Sequence, residues 1–140
     1  MAVWNVDLTT EDGAFSAAQI GGLACFIAAA LALFGAAMIL GLGAGSGAVR
    51  AALFDASAML VEIVLFVVAG LRLRAGKGSI WGSIAAMALV IELVVKLATF
   101  AIVGVLIDAL LLIVVINGLR GVRALGRIDL RPADAAEIFN

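Results

Sequence analysis

Histidine and tyrosine are absent from this sequence; proline occurs once, at Pro132, and cysteine once, at Cys25. Without histidine the chain lacks the commonest general base and the usual ligand of haem, zinc and copper sites. Ser57 and Ser83 have no base in a recognisable nucleophile arrangement. The glycine-rich stretch 41–47 lacks the Lys-Ser/Thr ending of a phosphate loop. No enzyme activity, metal or cofactor is therefore expected. One cysteine cannot close an intrachain disulfide, so Cys25 reads as a small residue packed among helices. Charge is scarce too: 9 Lys and Arg against 10 Asp and Glu leave a net charge of −1. No basic cluster is interleaved with aromatics, which excludes a nucleic-acid partner.

What the chain has instead is apolar length. Hydrophobic residues make up 66% and charged residues 14%, whereas a soluble domain is about half apolar and about a quarter charged. The excess falls in runs at 20–42, 51–71, 80–100 and 105–116, and the long ones approach the roughly 20 residues that cross about 30 Å of hydrocarbon. A chain of 140 residues could not bury that much apolar surface within itself. The expected fold is all-α: an integral membrane bundle of four transmembrane helices. A cleaved signal peptide is not expected, because residues 1–16 carry Asp7, Glu11 and Asp12 without Lys or Arg, and the run that follows exceeds the about 7–15 residues of a signal core.

The expected organisation is a polar N-terminal segment over 1–16, a four-helix domain over 17–119 and a basic, then acidic, tail over 120–140. Trp4, Phe15 and Trp81 are candidate interfacial anchors. Ser16 and Gln19 have the spacing of a capping box, which places the helices at about 17–42, 48–73, 79–100 and 104–119. The glycines of 41–47 are expected to end the first helix, and Ser79 to cap the third. From 79 to 117 no loop is evident, yet an unbroken helix of that length would measure almost 60 Å, roughly twice the hydrocarbon thickness. A turn is therefore required, and 101–104 is chosen because Gly104 is the residue there that relieves backbone strain. The fourth helix ends near Leu119 or continues outward, with Arg120, Arg123 and Arg127 on one face by their spacing of three and four. Pro132 stops any helix.

Orientation follows from the basic residues. Arg72, Arg74 and Lys77 follow the second helix, and Arg120, Arg123, Arg127 and Arg131 follow the fourth; only Arg50 falls on the other side. The positive-inside rule then puts both termini in the cytoplasm, of a bacterial cytoplasmic (inner) membrane. These cationic segments are candidate contacts for anionic lipid or for a partner protein.

Five ionisable residues fall within the spans: Asp55, Glu62, Glu92, Lys96 and Asp108. Each is costly at depth and so a functional candidate. Asp55 and Glu62 are seven apart and share a helix face; Glu92 precedes Lys96 by four, the order that favours an ion pair. Asp55, Lys96 and Asp108 are expected near the extracytoplasmic ends of their helices, with Glu62 and Glu92 about one and a half turns deeper. Together with Asn117, read as interhelical glue, they define an expected polar seam between helices two, three and four. Four carboxylates and one ammonium would leave three negative charges in a low dielectric. At least one carboxyl is therefore expected to hold its proton, Glu62 and Glu92 being the deepest.

Two functions fit. The first is a non-enzymatic subunit, assembly factor or regulator of a larger membrane complex, working through helix–helix packing with other subunits or with itself. The second is a small, dimeric proton- or cation-coupled transporter or channel that uses the carboxylate seam.

Overall fold

The first helix begins at a cap supplied by Thr10. The computed structural model describes residues 8–46 and 48–128; Trp4, Arg131 and Pro132 lie outside them. Thr10 Oγ1 accepts a hydrogen bond from the Gly13 amide at 3.2 Å, satisfying a donor that the helix itself leaves open. Glu11 and Asp12 then place negative charge at the positive end of the helix dipole. Helix α1 accordingly spans Glu11–Ser46, and Ser16 and Gln19 lie inside it rather than at a cap. The helix runs through Gly41, Gly43 and Gly45 and ends at Ser46, inside the 41–47 stretch but beyond the expected limit of 42. A Cβ at Gly43 would collide with Ala52 of α2, Val49–Arg74. That glycine lets a neighbouring helix come close instead of terminating its own.

Two turns of one design follow. After α2, Lys77 N–H donates to the Arg72 carbonyl at 3.0 Å and Gly76 N–H to that of Leu73 at 2.9 Å, with Gly76 left-handed at φ 66°. This is a Schellman turn. Gly78, at φ 99°, takes the N-cap position of α3, Ser79–Ala98, so Ser79 is its first helical residue rather than its cap. After α3 the pattern repeats: Ala101 N–H donates to the Lys96 carbonyl at 2.9 Å and Phe100 N–H to that of Leu97 at 3.2 Å. Here the left-handed residue is Phe100, at φ 55°. The turn thus covers 99–101, not 101–104. Gly104 is helical, within α4, Ile102–Ile128, where it gives room to the Lys96 side chain, whose Cδ would lie 3.0 Å from an added Cβ. Helix α4 also runs past Leu119 and carries Arg120, Arg123 and Arg127.

All four helices are long and apolar enough to cross a membrane. They form a ring in chain order: α1 packs on α2 and α4, α3 on α4 and α2, while α2 and α4 barely touch across the diagonal. Among the described residues, 11 of the 19 buried apolar ones are alanine, whereas Leu, Ile, Val and Phe dominate the outer surface. Small residues inside let the backbones approach, as at Gly21 and Gly118, where a Cβ on Gly21 would lie 2.6 Å from the Gly118 Cα. Phe66, Leu73, Leu89 and Val115 fill what remains of the core.

Candidate functional site

Lys96 is the hub of the charged residues. Its Cα–Cβ bond tilts toward the N-terminus of α3, as in every α-helix, so the long stem leans back into the bundle from the last turn. Lys96 Nζ donates to Glu92 Oε2 at 2.9 Å and to Asp108 Oδ1 at 2.8 Å. It also lies 2.6 Å from Asp108 Oδ2, so the ammonium faces both oxygens of that buried carboxylate. The Asp108 side chain is 4% exposed, against 28% for Glu92 and 33% for Lys96, so the cluster is sealed on the α4 side and open on the α3 side.

Glu62 completes the group from α2, with its carboxyl set against that of Glu92. Three carboxyls therefore meet at one level. Glu92 is six residues before Ala98 and Asp108 six after Ile102; Glu62 is twelve from Arg74 and Glu92 thirteen from Ser79. Asp108 is thus as deep as Glu62 and Glu92, not near the helix end with Asp55. The cause is the turn position, since α4 begins at Ile102 and gains half a turn over a start at Gly104. The four charged side chains line a cavity of about 220 Å³ whose far wall is α1, through Ala28, Ala32 and Gly35. Small residues on that wall leave the space. Two facing carboxyls stay together only with a proton or a cation between them. Among the described residues, no group of three or more acidic, cysteine or histidine residues is arranged to hold a metal ion.

Two members of the expected seam lie elsewhere. Asp55 is exposed and does not line the cavity. It stands nineteen residues from Arg74, as Ala98 stands nineteen from Ser79, so α3 ends at its level and gives it no neighbour. Asn117 is nine residues beyond Asp108, about two and a half turns away, and is half-buried next to the Gly21–Gly118 contact.

Arg50 apart, the described arginines and Lys77 gather at the opposite end of the bundle. Arg120, Arg123 and Arg127 border one hollow together with Leu8 and Thr9, and Arg123 borders a second with Lys77 and Glu11. Arg74 differs from the rest. Its stem crosses Gly22 and its guanidinium lies 6.0 Å from the Phe26 ring centroid, so it packs α2 onto α1 through a cation–π contact. Arg72 is exposed beside Gly78.

Sequence reasoning missed α1 as a wall of the cavity, because a helix without charge gives no signal except its small residues. It also missed Ser83, whose Oγ donates to the Ser79 carbonyl at 2.8 Å and accepts from Arg123 Nη2 at 3.5 Å. Comparison with protein families, with curated proteins and with solved structures finds no match.

Proposed function

We propose that the protein is an integral membrane component of a larger assembly, a non-enzymatic subunit, assembly factor or regulator, with both termini cytoplasmic in a bacterial inner membrane. Four helices of sufficient length and apolarity support the membrane reading, and the basic residues at one end support the orientation. Reporter fusions at residue 140 and near residue 46 give opposite readouts under this topology. Matching readouts overturn it.

One observation carries the assembly reading. Past Leu89, α3 buries no residue, yet it holds Glu92 and Lys96 partly open to the outside. Charged side chains in hydrocarbon face a bundle interior or a water-filled space. A further helix laid along α3, from another subunit or a second copy, closes that flank and removes the charges from lipid. A photo-crosslinking residue at Val95, exposed on this stretch, tests it in native membranes. A covalent adduct with another polypeptide is expected. Adducts with lipid alone overturn the reading.

The cavity favours a second reading, a proton- or cation-coupled transporter or channel. Glu62 and Glu92 face each other where a shared proton could be exchanged for a cation. Glu62→Gln fixes the neutral form. In liposomes with an imposed pH gradient, a conducting protein dissipates the gradient and the variant does not. Equal leakage from both, at the level of empty liposomes, counts against transport and leaves the assembly reading standing.

A further inference from the structure

We infer that the groove between α2 and α3 is a binding site for one anionic phospholipid, with the phosphate on Arg123 and an acyl chain along α3; the inference rests on the membrane reading above. The groove, of about 650 Å³, has an apolar floor from Leu65 of α2 and Ile84, Met87 and Ile91 of α3, and its polar end is lined by Ser79, Ser83 and Arg123. Polarity is therefore graded along its length. Among the described residues, Arg123 alone brings charge to it, and no acidic side chain lines it.

The length fits the occupant. Ser79 and Ile91 both line the groove and are twelve residues apart, about 18 Å of helix rise, against about 15 Å for one leaflet of a 30 Å hydrocarbon core. The polar end lies at the start of α3, among the basic residues, and the apolar end stops beside Glu92 at the middle of the bundle. A transmembrane partner helix would not end there. A single chain descending from a headgroup does.

Arg123 also borders both basic hollows, one with Arg120 and Arg127, the other with Lys77 and Glu11. A phosphate on its guanidinium can accept two parallel N–H donors, with the Ser83 hydroxyl within reach of the same group.

The test uses the full-length protein in a mild detergent, with native mass spectrometry counting retained phosphatidylglycerol or phosphatidylcholine of matched chains. Wild type is expected to retain one phosphatidylglycerol in preference. Arg123→Gln should reduce that preference about fivefold, the equivalent of roughly 1 kcal/mol per basic residue at an anionic surface. Arg127→Gln, which leaves the groove intact, should change it less than about twofold. Ala88→Leu, which fills the groove floor, should lower retention of both lipids without shifting the thermal midpoint. Equal losses from Arg123→Gln and Arg127→Gln, with no effect of Ala88→Leu, would mean general surface attraction and overturn the site while the protein remains in the membrane. Release of the wild type by alkaline carbonate extraction would instead overturn the membrane reading itself, and the groove with it.

Discussion

The two ends of the bundle are held together by opposite means. At the basic end, backbones meet directly: Gly21 on Gly118, Gly22 against Gly70, and Gly121 against the Ala14 carbonyl. The other end is the hairpin end, where α1 meets α2 and α3 meets α4. Gly43 still admits Ala52 between α1 and α2 there, but α3 buries no side chain past Leu89 and is tied to α4 through Lys96. Backbone contact of this kind is short-ranged and insensitive to charge, whereas the hairpin end depends on one ammonium serving two carboxylates. An error at the glycine end is steric; an error at the hairpin end is electrostatic.

The difference can be broken most severely at Lys96. Lys96→Met leaves Asp108 buried without a counter-charge and should destabilise by about 3–5 kcal/mol, read as denaturant unfolding in micelles. Adding Glu92→Gln and Asp108→Asn should recover much of that loss. A triple variant as unstable as the sum of its singles would show that the three side chains do not interact. Next comes Gly118→Ala, where the new Cβ meets the α1 backbone and not a flexible side chain. It should cost about 1–3 kcal/mol and, unlike Lys96→Met, should not change with pH or salt. A smaller effect of opposite sign is expected at Phe100, whose left-handed backbone carries a roughly 1–2 kcal/mol penalty in a non-glycine residue. Phe100→Gly should raise the thermal midpoint by the equivalent of about 1 kcal/mol, less whatever the exposed ring contributes at the bilayer surface. The smallest effect sharpens the comparison within α1 itself. Gly41 has nothing within 4 Å of an added Cβ, so Gly41→Ala should stabilise by about 0.5–1 kcal/mol, measured in the same way. Destabilisation there would mean that a partner contacts this part of α1.

Apolar length made the four helices legible in the sequence, and the i, i+4 spacing made Glu92 and Lys96 legible as a pair. Asp108 was legible as a member of the seam, but not as the second partner of Lys96 or at its depth. Asp108 is twelve residues from Lys96, across a turn whose position sequence reasoning assigned to the nearest glycine. The structure places a phenylalanine in the left-handed position, which propensity argues against, and the shift moves Asp108 inward by half a turn. Gly41 and Gly43 misled about how far α1 runs, because glycine ends helices and also lets them touch. Only a partner such as Ala52 distinguishes the two uses, and local sequence does not show partners. Asp55 shares its helix face with Glu62 as expected. It falls outside the cluster because it lies seven residues, about two turns, beyond Glu62, level with the last residue of the short α3.

In the proposed membrane setting, that shortness acts on the lipid around the protein. Helix α1 has 36 residues, about 54 Å, and α3 has 20, about 30 Å. Only about 25 Å of α3 precedes Lys96. One bilayer cannot match both helices: α1 leans or stands proud of it, while hydrocarbon beside α3 must thin to meet a shorter apolar strip. The pinch falls on the flank where Glu92 and Lys96 are open. Membrane thickness then becomes a variable that sets how near water comes to the charged cavity, with thinner bilayers hydrating it and thicker ones closing it off.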